Sequence, residues 1–508
     1  MSKSVIIIGG GYGGLATAAM LAKAKYDVTV VEKNQQLGGR AGQLHQDGFR
    51  FDTGPSWYLM PEVFEDFYSL FGKSAQKELS LTRLTPGYKV FFESHDPVTI
   101  QGNLQDDCRT FETLEPGAGA ALKRYVNKSS TLYELSLKHF LYSNFSRKTQ
   151  LFHSDILKNL PQFGSAATTS LDTYVSKYFS DTRIKRILEY HSVFLGGSPY
   201  EIPAIYSLMS TLDFKSGVYF PKNGIYSLIE NVVALGAEHG VTYRTGVGVS
   251  EITVENGIAT GVRLGDGTTL SASIVISGAD LHHTETKLLK PHYQTYPEAY
   301  WKKKQPGPSA LLVSLGIKGS LSKLEHHNLY FVDDWKENFA SIYNAKRIPK
   351  NASIYICNPS KTDPSAAPKG HENIFILVPL PSSNAFTKKE TDRLTQSAIK
   401  LLAKVSGEND ITERIVTKDV VTPTTFSERF NAWEYNALGG QSHLLSQSAF
   451  FRTPNVSKKV KNLYYVGAGT TPGIGLPMCL ISAQLVYKRI MSVHENGPLK
   501  TIAPKDSA

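Results

Sequence analysis

At both ends of the chain the apolar positions fall in short continuous runs rather than in strict alternation. Ser4-Val5-Ile6-Ile7-Ile8 is rich in β-branched residues and stops at Gly9. A run of this kind, closed by glycine, predicts a strand buried on both faces, as in a parallel sheet. Leu15 to Lys25, rich in alanine and leucine, predicts a helix, and Asp27-Val28-Thr29-Val30-Val31 predicts a second strand that ends at Glu32. Further on, Tyr219-Phe220-Pro221-Lys222-Asn223-Gly224 precedes a helical stretch reaching about His239. Strand patterns follow at Val241 to Arg244, Gly248 to Val254, Ala259 to Leu264 and Thr269 to Ile276, with Asp266-Gly267 as a hairpin turn between the last two. Asn462 to Val466 repeats the buried-strand pattern, and Met478 to Ile490 has helical length and apolar character. Strands alternating with helices predict an α/β fold whose last segment returns to the sheet that the first began.

The turn after the first strand reads Gly9-Gly10-Gly11-Tyr12-Gly13-Gly14, in which Gly9, Gly11 and Gly14 have the G-x-G-x-x-G spacing. Alone, that spacing is a weak signal. Here strand, glycines, helix, second strand and terminal acid arrive in the order that a dinucleotide site requires. The first glycine makes the turn, the second admits a pyrophosphate, and the third lets helix and strand approach. The helix start offers free N–H groups and a positive dipole end, and Glu32 stands where an acid accepts from ribose hydroxyls.

Bulk properties narrow the reading. At 508 residues, two joined domains are expected. With 41% hydrophobic and 20% charged residues the chain is an ordinary folded one. It has no apolar run of about 18 residues to span a bilayer, and Val5 to Ile8 is too short for a signal peptide. Cys108, Cys357 and Cys479 are widely spaced, which predicts neither a disulfide framework nor a metal site. A cytoplasmic location follows as the expectation. The net charge of +10 comes without a run of five or more consecutive basic residues, so no nucleic-acid partner is expected. From Leu132 through Phe163, apolar residues interleave with Lys138, Arg147, Lys148 and Lys158. Such a stretch suits a bilayer surface, and equally an amphipathic helix on the protein core.

Beyond the glycine motif, Gly38-Gly39-Arg40 and Phe49-Arg50-Phe51-Asp52-Thr53-Gly54-Pro55-Ser56 follow, and near the far end Gly467-Ala468-Gly469-Thr470-Thr471-Pro472-Gly473-Ile474-Gly475-Leu476-Pro477. Tyr190 to Tyr200, Phe430 to Gly440, and His443 through Asn455 complete a set spread over nearly the whole chain. Together they resemble the carotenoid desaturases of phytoene desaturase type, within the amine-oxidase-like flavoproteins. The resemblance implies a Rossmann-like FAD-binding domain at 1–70, 216–285 and 456–500, with an interleaved mixed α+β substrate domain at 71–215 and 286–455. It implies FAD, a long-chain acyclic carotenoid hydrocarbon as substrate, and peripheral contact with a membrane surface; oligomeric state stays open. Arg40 would meet the pyrophosphate, where its fork of donors suits phosphate. Gly39, Gly54, Pro55, Gly467, Gly469 and Gly475 would line the FAD site, and Val249 would contact adenine through its backbone. Asp155 and Lys158 occupy the place of an Asp-x-x-Arg pair proposed near the reacting centre in relatives, with lysine for arginine; they equally suit a solvated i,i+3 pair. Relatives often carry histidine where this chain has Thr471, so no proton-transfer role is available there. Other flavoproteins of the superfamily (an amine oxidase, a protoporphyrinogen oxidase, a carotenoid isomerase) and a non-catalytic flavin-binding escort are the alternatives.

Overall fold

The computed structural model describes residues 3–145, 164, 166–382 and 386–504. Its first sheet has five strands in the order Leu463–Tyr465, Ile274–Ser277, Ser4–Ile8, Asp27–Val31 and Thr242–Arg244, and every pairing is parallel. Ser4–Ile8 takes the centre because Val5, Ile6, Ile7 and Ile8 are apolar on both faces, and all four are buried. Burying each such side chain contributes roughly 1.5–3 kcal/mol. On one face lie the helices Tyr12–Lys23, Ser227–Glu238 and Leu476–Ile490, which share a core with Val5, Ile7, Val28 and Val30. The other face is covered by a three-stranded antiparallel sheet, Val249–Glu255, Ile258–Leu264 and Thr269–Ser271, through Ile252, Val262 and Leu264 against Ile6, Ile8 and Val31.

One strand expected from the sequence is two. The run from Thr269 to Ile276 breaks at Ala272 and Ser273: Thr269–Ser271 pairs in the small sheet, while Ile274–Ser277 crosses to the parallel one. Both pieces are β-rich, so the periodicity carries no mark of the change of sheet. The first helix also begins earlier than its apolar pattern suggests, at Tyr12, inside the glycine run.

The second sheet has seven strands in the order Ile415–Val421, Ser309–Lys318, His371–Leu380, Ile354–Cys357, His327–Phe331, Tyr88–Phe92 and Val98–Ile100. Its pairings are antiparallel except for His327–Phe331 beside Tyr88–Phe92. Side chains alternate along Ser309–Lys318. Leu311, Val313, Leu315 and Ile317 face the helix Lys388–Ser406, whereas Ala310 and Leu312 face the opposite side. That opposite side meets the helices Ala118–Ser136, Thr182–Glu189 and Trp335–Tyr343 and becomes the wall of a large chamber.

Candidate active site

The two halves enclose one continuous cavity of about 1000 Å³. Gly9, Gly11, Gly14, Glu32, Gly39, Arg40, Gly54, Pro55, Val249, Gly467 and Gly475 all line it, although they come from widely separated stretches of sequence. Gly469 stands behind the lining, packed on Leu281, with its carbonyl accepting from the Thr453 hydroxyl at 2.8 Å. Asp155 and Lys158 lie outside the described residues.

At one end the cavity is built for an anion. Tyr12–Lys23 starts at Gly11 and Leu476–Ile490 at Gly475, each without a side-chain cap and without an acid in its first turn. The free N–H groups of both helix starts are therefore left to a ligand. A β-carbon added at Gly11 would meet nothing within 4 Å, so that glycine keeps space open. At Gly14 it would stand 2.5 Å from the Gly9 carbonyl oxygen, and at Gly54 it would collide with the Arg40 carbonyl. Those glycines hold two chain segments in contact.

Among the described residues, Arg40 is one of three cations at this end, with Lys33 and Arg429. One guanidinium nitrogen donates to the Asn436 carbonyl at 3.3 Å, Asp280 lies at 4.0 Å, and the Phe430 ring lies beneath at 5.5 Å. Its Nε is buried and has no partner. Burial lowers the arginine's pKa and Asp280 partly restores it. A buried guanidinium N–H left free beside two open helix starts fits a pyrophosphate. Glu32 is held in place from behind: Oε2 accepts from the Gly10 N–H at 2.7 Å, and Oε1 from the Asn34 backbone and side-chain N–H groups at 2.9 and 2.8 Å. Its carboxylate borders the cavity at the end of the second strand, as ribose binding needs. The donor set, the open cradle and the acid thus fit FAD.

Away from this end the wall changes character. Trp57 follows the Gly54-Pro55-Ser56 turn and stacks on His327, with ring centroids 4.0 Å apart. Tyr190, Phe194 and Tyr355 surround it at 5.7–6.1 Å. Their polar ends turn away from the chamber. The Tyr355 hydroxyl meets His327 Nδ1 at 2.6 Å, and the Tyr190 hydroxyl donates to the wholly buried Asp213 at 3.2 Å, which also accepts from Tyr88 at 2.8 Å. Phe331, Trp335, Phe339, Leu312 and Leu377 continue the chamber. In the other direction it runs past Phe140, Leu208 and Met209 to Leu445, Phe450 and Phe451, which are 49%, 50% and 62% exposed. Among the described residues, the Asp, Glu, Lys and Arg side chains of the lining are Glu32, Lys33, Arg40, Asp280 and Arg429, and all five stand at the nucleotide end.

The family whose description is flavin containing amine oxidoreductase matches residues 12–491. The chain belongs to that family. Within it, the chain groups with the carotenoid and phytoene desaturases. It is 41% identical to a carotenoid 3,4-desaturase of Haloarcula japonica, over 95% of this chain and 97% of the relative. It is 34% identical to a zeta-carotene-forming phytoene desaturase of Myxococcus xanthus (100% and 97%) and 33% identical to a phytoene desaturase of Fusarium fujikuroi (97% and 90%). Among solved structures, an oxidoreductase from Methanosarcina mazei matches with a TM-score of 0.64 at 17% identity, covering 96% of this chain and all of that one. A putrescine oxidase bound to putrescine matches at 0.62 and 13%, covering 97% and 99%. These structures bear out the α/β, Rossmann-like fold, and the flavoprotein is an FAD-dependent oxidoreductase, as the sequence motifs implied.

Sequence reading gave no site role to several residues, including Phe430 and Asn436 of the Phe430 to Gly440 motif. Asp280, Trp57, Phe430 and Asn436 reach Arg40 or the chamber only through the fold. The adjacent His326 and His327 meet Cys357, 30 positions further on, with their ring nitrogens and thiol within 4.8 Å of one another. Burial holds both imidazoles well down and the thiol well up. All three therefore favour their neutral forms, in keeping with the hydrogen bonds they make.

Proposed function

We propose that the protein desaturates a long acyclic carotenoid hydrocarbon with FAD and takes that substrate from a membrane surface. The observation that carries this reading is the separation of charge along one cavity. Charged side chains and open helix starts gather at one end, and among the described residues the rest is an aromatic and aliphatic chamber without an Asp, Glu, Lys or Arg side chain. A hydrocarbon offers nothing for a charge to recognise. An unpaired charge facing it would lose solvation without return.

Desaturation removes two hydrogens, that is two electrons and two protons, from adjacent carbons and leaves a C=C bond. FAD, when bound, supplies the two-electron acceptor. The protein's own contribution is placement. Trp57, Tyr190 and Tyr355 fix where a chain segment lies beside the nucleotide end, and the apolar wall excludes water. The hydroxyls of Tyr190 and Tyr355 are engaged behind the wall, so both rings present an apolar surface. Asp155 and Lys158 are proposed as the polar pair near the reacting carbons. Asp155→Asn in FAD-loaded protein tests that role, and unchanged turnover would remove it.

Membrane contact follows from magnitudes. Each CH₂ moved from water into an apolar site gains about 0.8 kcal/mol, so a long hydrocarbon hardly enters water at all. Transfer from lipid tails to an apolar chamber is nearly neutral, which favours direct entry at the exposed rim of Leu445, Phe450 and Phe451. No described helix is long and apolar enough to cross a membrane. The decisive experiment supplies phytoene in liposomes to FAD-loaded protein and reads the products by absorption spectrum. New conjugated double bonds are expected. Unchanged spectra with the flavin bound would reject the reading.

A further inference from the structure

A second cavity, of about 310 Å³, opens beside the chamber's rim. It shares Phe145, Phe450, Phe451 and Thr471 with the chamber, but its cations belong to it alone: Lys304, Arg452, Lys458 and Arg489 line it and do not line the nucleotide cavity. No carboxylate side chain lines it among the described residues.

The two guanidinium groups are fixed and incompletely satisfied. Arg452 is buried; its Nε donates to the Thr470 carbonyl at 3.3 Å and one terminal nitrogen to the Ala468 carbonyl at 3.0 Å. Its other terminal nitrogen, Nη1, is buried without a partner. Arg489 donates from a terminal nitrogen to the Asn144 carbonyl at 3.2 Å, and its Nε is likewise buried and unpartnered. The titratable groups acting on these two arginines are Tyr206 and Tyr300 on Arg452, which also faces His443, and Tyr464 and Tyr296 on Arg489. Glu285, behind Tyr296, is occupied in accepting from the Tyr296 N–H and the Tyr465 hydroxyl. Buried guanidinium groups with free N–H donors and no counter-ion are costly unless an anion completes them. Planar forks of donors suit phosphate oxygens. Half-buried Lys304, its ammonium 5.1 Å from the Tyr300 ring, and the exposed Lys458 add two charges at the same opening.

The neighbouring rim identifies the source of that phosphate. Phe450 and Phe451 are half or more exposed, and Phe145 packs on Phe450 at 4.5 Å. Aromatic side chains inserted at the acyl boundary would set an adjoining cationic cavity at the level of lipid phosphates. We propose that this cavity binds the phosphate of an anionic phospholipid and so seats the mouth of the substrate chamber on the bilayer. This deepens the membrane reading above and rests on it.

The test uses FAD-loaded protein and vesicles of phosphatidylcholine, alone or mixed with phosphatidylglycerol. The pair Lys304→Gln and Lys458→Gln is expected to weaken binding to the mixed vesicles about 30-fold, from roughly 1 kcal/mol per lysine near a charged surface. The charge-matched pair Lys388→Gln and Lys389→Gln, at the start of the helix on the far side of the second sheet, is expected to leave binding unchanged. Equal loss in both pairs would reduce the effect to net charge and overturn the proposal. Inorganic phosphate that stabilises the wild type against heat, in protein that ignores both kinds of vesicle, would overturn the lipid source. Flavin absorbance and turnover of detergent-dispersed substrate are expected to survive in both pairs. Failure of those readouts in the wild type would instead strike the catalytic reading.

Discussion

A β-carbon at Gly14 would press on the Gly9 carbonyl, and Gly9 cannot retreat, because its N–H donates to the Val31 carbonyl at 2.8 Å. Gly14→Val should therefore push the first helix off the central strand and misplace its free N–H groups. The expected product is a protein purified without yellow colour that does not regain it when FAD is added. Arg40 has a different failure mode. Arg40→Lys keeps the charge beside Asp280 but loses the unpartnered Nε and the bond to the Asn436 carbonyl. Hydrogen bonds to charged groups contribute about 1.5–3 kcal/mol, so the FAD dissociation constant, followed by flavin fluorescence, should rise about tenfold or more. The glycines were legible because their spacing is local and each has a mechanical reason. Asp280, Phe430 and Asn436 were not, since a hydrogen bond spanning 396 positions leaves no periodicity to read.

The helix Thr182–Glu189 ends on an acid, against its dipole, and that acid is buried at the edge of the chamber's core. Glu189 accepts from the Trp335 indole N–H at 3.0 Å, while its Oε1 has no partner. Burial, then Asp172, pushes its pKa up to about 8, against about 4.3 in an unfolded chain. With the folded value raised, the unfolded state releases the proton first as pH climbs. Glu189 thus favours folding fully below about pH 4.3 and loses that contribution as pH rises through about 8. Glu189→Gln keeps the acceptor for Trp335 without the titration. Its melting temperature should exceed that of the wild type above pH 8, and the difference should shrink towards pH 5. At this scale the sequence was a good guide to which segments are strands, and a poor one to which sheet they join. Thr269 to Ile276 reads as a single run because burial in either sheet selects the same residues.

Taken whole, the molecule sets a polar nucleotide cradle and an apolar chamber end to end, and the two should fail independently. Ala310 lies on the strand Ser309–Lys318, faces the chamber and is far in sequence from every nucleotide-lining glycine. Its small side chain leaves volume that a larger one would fill. In Ala310→Phe the phenyl ring would project into space meant for substrate, while Arg40, Glu32 and both helix starts stay in place. Flavin absorbance and FAD affinity should match the wild type, and kcat/KM for a long carotenoid should fall at least about tenfold, the scale of a misplaced reacting carbon. A shorter acyclic hydrocarbon that stops before the new ring should be affected less. This contrast between chain lengths separates a filled chamber from a damaged fold, because general destabilisation would lower turnover of both substrates alike and release flavin as well. Equal loss for both lengths with flavin retained would mean that Ala310 borders the reacting segment itself, and the substrate path through the second sheet would need to be redrawn.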